Sequence, residues 1–133
     1  MGLDLYAKGY TGKFSCPYST FYRLRRAIVR AVYGSEMERI YSIPYKIYNG
    51  EPTQEKIAIW NERCDDDIDI LLLHSDCDGH MYPAQCRKVY RKLKNVEVED
   101  DSFSIAYSNK ELFARLLDIL KYCADNRRML LFE

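Results

Sequence analysis

The first residues of the chain alternate between apolar and polar side chains. Leu3 and Leu5 alternate with Asp4 and Tyr6, which is the two-residue period of a strand with one buried face. The pattern therefore predicts a strand over residues 2–8. A loop is predicted to follow, because three chain-breaking residues come next: Gly9, Gly12 and Pro17.

Further along, apolar residues return at the spacing of an amphipathic helix. The first predicted helix begins at Ser19, a suitable capping residue, and continues to about Tyr33, where Gly34 ends it. The apolar stripe predicted to be buried contains Phe21, Leu24, Ile28, Ala31 and Val32.

Two more helices are predicted in the second half of the chain. One begins at Pro83, a residue type common at the first helical position, and extends to about Lys94. The other begins with Ser108 and Glu111, which are spaced as a capping box, and ends near Asn126. A terminal strand is predicted over residues 129–132.

Four segments carry weaker patterns. Residues 38–48 suggest an edge strand around Pro44, and residues 96–107 suggest a hairpin or two short strands around Asp100. Residues 53–64 suggest a short helix that buries Ile57, Trp60 and Cys64. Residues 68–74 are short and apolar, so periodicity leaves a buried strand and a helical turn as equal alternatives.

These elements, taken together, predict an α+β fold. A chain of 133 residues has the usual size of one domain, so we expect a single compact domain over residues 1–133. Three to four helices should pack on a small, mostly antiparallel sheet. No internal repeat or low-complexity segment suggests another architecture.

The cysteines bear on the cellular compartment. Their number is odd, no Cys-x-x-Cys pair occurs, and the first residues do not resemble a secretory leader. We therefore expect reduced thiols and a cytoplasmic protein. No membrane association is predicted, because the longest central apolar run, Ile70 to Leu73, is far too short to span a bilayer.

Residues 74–86 contain both histidines of the chain and two of its cysteines. Imidazole and thiolate are ligands that suit zinc, so a candidate metal site is drawn from His74, Asp76, Cys77, His80 and Cys86. Cys77 is also a candidate nucleophile if a histidine lies close enough to activate it. The competing interpretation is a helix-entry turn in which Asp78 or His80 caps backbone amides and the cysteines pack as small hydrophobes.

The polar side of the first helix offers a second candidate site. Basic and aromatic groups together can hold phosphates or stack on bases, and this side carries Tyr18, Tyr22, Arg23, Arg26 and Arg30. A basic stripe opposite an apolar one is also the ordinary solvated face of a helix. The 20 basic and 20 acidic side chains cancel, which favours the second interpretation over contact with nucleic acid.

Three motifs carry a resemblance to a known group of proteins. They are the opening Met-Gly-Leu-Asp-Leu-Tyr, the segment Tyr-Ser-Thr-Phe-Tyr-Arg-Leu-Arg from Tyr18 to Arg25, and His-Ser-Asp-Cys-Asp-Gly from His74 to Gly79, followed by Cys86. In their order along the chain they resemble a family of small uncharacterised proteins of phages, prophages and their bacterial hosts. The resemblance implies an accessory factor and brings no activity or cofactor with it.

Two functions of different classes follow from these observations. The favoured hypothesis is a small interaction protein, such as a phage or mobile-element accessory factor, that binds a host macromolecule or a small anionic ligand. The alternative is a small metal- or thiol-dependent enzyme that acts on a phosphate-containing substrate through the cluster from His74 to Cys86. In that enzyme an arginine of the first helix, Arg23, Arg26 or Arg30, would hold the phosphate.

Overall fold

Four short antiparallel strands form a sheet in the order β2, β1, β4, β3. The structure, a computed structural model, describes residues 2–46, 54–100 and 108–133. Over these residues the strands are β1 (Gly2–Tyr6), β2 (Phe14–Pro17), β3 (His80–Met81) and β4 (Leu130–Phe132). The helices are α1 (Tyr18–Tyr33), α2 (Ser35–Lys46), α3 (Gln54–Arg63), α4 (Asp66–Leu72), α5 (Pro83–Leu93) and α6 (Asn109–Asn126). The predicted α+β fold is confirmed, with six helices in these ranges rather than three or four.

The strand register divides the sheet into two faces. Leu5 of β1 lies opposite Phe14 on one side and Phe132 on the other, and all three side chains are buried. Helices α1 and α6 contact β2 and other strands of the sheet, so the inner face of the sheet forms one wall of the core. Its buried side chains are Leu3, Leu5, Phe14, Cys16, Met81, Leu130 and Phe132.

Strands β2 and β3 were not predicted. Of the residues that suggested a loop, Gly9 and Gly12 precede a four-residue strand and Pro17 is its last residue. Phe14 and Cys16 of this strand are buried. Strand β3 has only two residues. Such short segments carry almost no periodic signal, and their pairing partners lie elsewhere along the chain.

Helix α1 leaves β2 without an intervening loop. Pro17, the last residue of β2, is also the N-cap residue, and no side chain caps the helix. The prediction that Ser19 caps the helix is therefore wrong, because Ser19 already lies inside the first turn. The predicted stop is confirmed, since Gly34 ends α1 at a φ of 96°, a conformation that glycine adopts without strain.

The predicted edge strand around Pro44 is wrong over residues 38–46, which belong to helix α2. Met37 and Tyr41 are both buried, and their spacing of four residues is that of a helix face. The imperfect alternation of isoleucines with polar residues hid this spacing. Residues 47 and 48 of the predicted strand lie outside the described residues.

The middle of the chain folds into two short helices. The predicted helix over residues 53–64 is confirmed as α3. Of the three residues predicted to be buried, Trp60 is buried, Ile57 is exposed, and Cys64, directly after α3, is only partly buried. Residues 66–72 form α4, which decides between the two alternatives in favour of helix. Asp65 caps α4, because its carboxylate accepts a hydrogen bond of 2.8 Å from the backbone N–H of Asp67.

Residues 96–100 form no strand, so the prediction of a hairpin is wrong in that part, while residues 101–107 lie outside the described residues. Asp100 instead helps to begin α6. Its carboxylate accepts hydrogen bonds from the Ser108 hydroxyl and from the backbone N–H of Lys110, and these bonds lower the pKa of Asp100. The predicted cap is confirmed, since the Ser108 oxygen accepts from the N–H of Glu111.

No helix among the described ranges is long and apolar enough to cross a membrane.

Candidate functional site

The connection between α4 and β3 contains most of the predicted metal ligands, and it is fixed by buried contacts. Arg25 of α1 is only 1% exposed. Its guanidinium donates to the carbonyl oxygens of Leu71, Leu72 and His74, the last at 2.6 Å. Because these carbonyls lie at the end of α4, where helical carbonyls lack partners, Arg25 joins two segments that are far apart in sequence.

His74 is partly buried within this connection and contacts both Phe132 and backbone oxygens. Its ring stacks on Phe132 at 3.9 Å between centroids. One ring nitrogen lies 2.8 Å from the carbonyl oxygen of Ser75, and the other lies 3.0 Å from the carbonyl oxygen of His80. Gly79 (φ 94°) leaves room for the ring, since a Cβ there would lie 3.2 Å from it. His74 thus organises the turn, and a metal ion would have to displace one of these contacts.

Cys77 and its neighbours lie at the surface of the turn. The Cys77 backbone N–H donates to the Ser75 hydroxyl oxygen at 3.3 Å, and the Cys77 sulfur lies 3.5 Å from that oxygen. No histidine nitrogen is among the described hydrogen-bond partners of Cys77, whereas His80 packs its ring edge-on against Tyr82 at 4.9 Å. The described contacts therefore do not pair the candidate thiol nucleophile with a base.

Cys86 belongs to a different environment. It is fully buried on α5, and hydrogen bonding with Cys123 of α6, together with burial, raises the pKa of its thiol. A protonated thiol is a poor metal ligand. Over the described ranges, no three His, Cys, Asp or Glu side chains converge in a way that could hold a metal ion. The five predicted zinc ligands, including Asp76, are thus not brought together.

Two arginines of α1, Arg26 and Arg30, are paired with the carboxylate of Glu38. Glu38 of α2 is only 8% exposed and lies 3.4 Å from both Arg26 and Arg30. Arg23 donates to the Thr20 hydroxyl at 3.5 Å. The pairing with Glu38 joins α1 to α2 and cancels part of the positive charge that would attract a phosphate.

The two tyrosines predicted to accompany these arginines are partly buried and pack against the core. Tyr22 stacks on Tyr41 at 6.3 Å, and the Arg26 guanidinium lies 5.8 Å from the Tyr22 ring. Tyr18 begins α1 directly after β2. Their rings therefore contribute to the junction of α1 with its neighbours more than to an aromatic surface.

An open groove of about 680 Å³ lies between the β1–β2 connection and α6. Tyr10 lines the groove and donates a 2.6 Å hydrogen bond to Asp118 on α6. Burial and this bond raise the pKa of Tyr10 to about 12. Arg115 at the rim is paired with Glu111 at 2.9 Å. Tyr10, Asp118 and Arg115 are therefore engaged, whereas Lys13, which also lines the groove, has no ion pair among the described residues.

The outer face of the sheet, opposite the helices, is a surface that the sequence interpretation missed. Tyr6 lies opposite Leu131, which in turn lies opposite His80, so the three form a row across three strands. Tyr82 continues it through its ring contact with His80. Tyr6 is 50% exposed, Tyr82 54% and Met129 41%. We use the term outer face for Asp4, Tyr6, His80, Tyr82, Met129, Leu131 and Glu133.

A signal for this surface was present in the sequence. The alternation of Leu3 and Leu5 with Asp4 and Tyr6 predicts one buried and one exposed face for β1. What the alternation cannot give is the neighbouring strand. Only the pairing of β1 with β4 adds Leu131 to Tyr6 and thereby turns isolated exposed residues into a patch.

Comparison of the chain with protein-family models, with curated proteins and with solved structures finds no match.

Proposed function

We propose that this protein is an interaction protein that docks a segment of a partner protein on the outer face of its sheet. The observation that carries the proposal is the row formed by Tyr6, Leu131, His80 and Tyr82 on the side of the sheet opposite the helices. Aromatic side chains offer large apolar contact areas with a polar end, and interfaces are enriched in them.

The size of the outer face favours a short segment as the occupant. Its strands have five, four, three and two residues. With strands about 4.8 Å apart and about 3.3 Å per residue, the face covers roughly 220 Å². A stable interface between folded proteins buries about 800 Å² per partner, so a second copy of this chain is a poor match for this face alone.

The enzyme alternative receives no such support. It requires a thiol or a metal centre beside an arginine that can hold phosphate. In the described ranges, Cys86 is buried beside Cys123 and no group of three candidate ligands converges. Arg26 and Arg30 have Glu38 between them.

The proposed setting is the cytoplasm of a bacterial host, with the protein acting as a phage or mobile-element accessory factor. The motif resemblance supports this setting. The five cysteines are also unpaired, which suits a reducing compartment. The partner in this proposal is a host protein rather than a nucleic acid, because the formal net charge is zero.

Selection from a library of random short peptides tests the proposal. Enriched peptides are expected to bind the wild-type protein and to lose about tenfold or more in affinity when two exposed aromatic anchors are removed. The variant is Tyr6→Ser/Tyr82→Ser. The matched control is Ile57→Ser/Leu73→Ser, which removes one exposed apolar side chain from α3 and one directly after α4, and it should leave affinity unchanged.

Two results would overturn the proposal. One is the absence of any enriched peptide. The other is a set of peptides whose affinity is unchanged in Tyr6→Ser/Tyr82→Ser, or falls equally in the control. Thermal melts of both variants ensure that a loss of affinity is not a loss of folding.

A further inference from the structure

The outer face carries a pair of carboxylates beside its aromatic row. Asp4 and Glu133 exchange two backbone hydrogen bonds, of 3.0 and 2.9 Å, so they lie directly opposite each other on neighbouring strands. Both side chains are exposed. Asp4 is two residues from Tyr6 and therefore lies on the same face of β1. The carboxylates and the aromatic row thus form one continuous surface.

Within the described ranges, neither carboxylate takes part in an ion pair. Like charges directly opposite in a sheet destabilise it. A positive charge bound between these two carboxylates would therefore relieve their repulsion. Lys8 and Arg128 flank the far ends of β1 and β4, and Lys13, which precedes β2, lines the groove beside α6. At about 3.3 Å per residue, Arg128 is roughly 16 Å from Glu133 along the chain, beyond the screening distance at physiological salt.

We infer that the segment docked on the outer face presents a basic side chain, preferably arginine, to Asp4 and Glu133. This inference rests on the proposed function and names the chemistry of its partner. A guanidinium can pair with carboxylates through two parallel hydrogen bonds, and its flat surface can lie on an aromatic ring such as Tyr6. Arginine therefore satisfies both parts of this surface at once.

The same carboxylates argue against a phosphate-bearing occupant. A nucleic acid or an anionic membrane brings dense negative charge, which Asp4 and Glu133 would repel. The partner therefore belongs to the class of basic, extended protein segments that carry apolar residues beside an arginine. The apolar residues of such a segment would contact Tyr6, Leu131 and Tyr82.

The peptides selected on the wild-type protein provide the test. They are expected to be enriched in arginine or lysine relative to the starting library. Their affinity should fall about tenfold in Asp4→Asn/Glu133→Gln, which is about 1.4 kcal/mol, and the melting temperature should not fall, because a like-charge pair is removed. The matched control is Glu62→Gln/Glu97→Gln, which neutralises two exposed carboxylates outside the outer face and should leave affinity unchanged.

Charge reversal adds an independent readout. The variant Asp4→Lys/Glu133→Lys should lose the basic peptides and gain affinity for the same peptides with their arginine replaced by glutamate. Binding to the wild-type protein should also weaken as salt increases, since the pair is exposed.

The outcomes separate this inference from the proposed function. Peptides that require Tyr6 and Tyr82, yet carry no basic enrichment and bind Asp4→Asn/Glu133→Gln unchanged, would overturn the inference and leave docking on the outer face intact. Peptides that bind Tyr6→Ser/Tyr82→Ser unchanged would overturn both.

Discussion

The two faces of one small sheet differ sharply in what covers them. On the inner face, Leu3 and Leu130 are fully buried beneath the helices, whereas Tyr6 and Tyr82 on the outer face are about half exposed. Both faces share the same strands, so adjacent residues of β1 serve different purposes. Because successive residues of a strand lie on opposite faces, we expect substitutions on the inner face to change stability and substitutions on the outer face to change binding.

The largest expected loss of stability comes from substitutions in α6, one of the helices that cover the inner face. Leu116→Ala or Leu120→Ala in α6 should lower the free energy of unfolding by about 2 to 5 kcal/mol, because both leucines are fully buried and truncation leaves a cavity. The measurement is a urea titration. Lys121→Ala, an exposed position of the same helix, is the control. An unchanged midpoint for both leucine variants would contradict the packing of α6.

The next effect concerns the buried guanidinium under the α4–β3 connection. Arg25→Met should cost about 2 to 4 kcal/mol, since it leaves the carbonyl oxygens of Leu71, Leu72 and His74 without this donor. Arg23→Met, whose guanidinium has a 3.5 Å contact with Thr20, is the control and should cost much less. Equal losses of unfolding free energy in the two variants would contradict the role assigned to Arg25.

A smaller effect on stability is expected from Tyr10, which lies in the connection between β1 and β2. The pKa of Tyr10 is raised to about 12, first by burial and then by its bond to Asp118, whereas a tyrosine in the unfolded chain ionises near 10. The stability that neutral Tyr10 contributes is therefore complete below pH 10 and is lost as pH rises to about 12.

Tyr10→Phe should cost about 1 kcal/mol at neutral pH and should remove one late-ionising phenol from an absorbance titration at 295 nm. The pKa of Tyr33 is also raised to about 12, so Tyr33→Phe serves as a comparison that removes a different late phenol. Persistence of the full late phase in Tyr10→Phe would contradict the Tyr10–Asp118 bond.

The smallest expected effect on stability comes from the outer face, where Tyr6 can be compared with its neighbour Leu5 on the inner face. Tyr6→Ser should change the unfolding free energy by no more than about 0.5 kcal/mol, whereas Leu5→Ser, its inward-facing neighbour, should cost several times that amount, because it places a hydroxyl in the core. Paired urea titrations measure both. Similar losses in the two variants would mean that the outer face is covered.

The sequence predicted those elements whose signals are local. Helices α5 and α6 repeat apolar residues at helical spacing, and Pro83 and Ser108 mark where they begin. Helix α2 was missed because Pro44 and the isoleucines favoured an extended segment, although the buried pair Met37 and Tyr41 has helical spacing.

The candidate site depended on contacts that no local pattern encodes. Cys86 is close to His80 in sequence, but it faces Cys123 of the last helix instead of the turn. Arg25 was grouped with neither candidate, although it is the arginine whose charge is fully buried. Residues that are close in sequence were predicted to form one site. In the structure they lie apart, because each element directs its side chains differently.

The two edges of the sheet have a consequence for self-assembly. Among the strands of the described ranges, one edge is β2, which ends at Pro17, a residue without a backbone N–H to donate, and the other is β3, which is only two residues long. An exposed sheet with an apolar surface and long free edges would extend from molecule to molecule into fibrils. Because β2 and β3 are short, they offer little template for a further strand, so we expect the exposed Tyr6 and Tyr82 to cause little edge-to-edge aggregation.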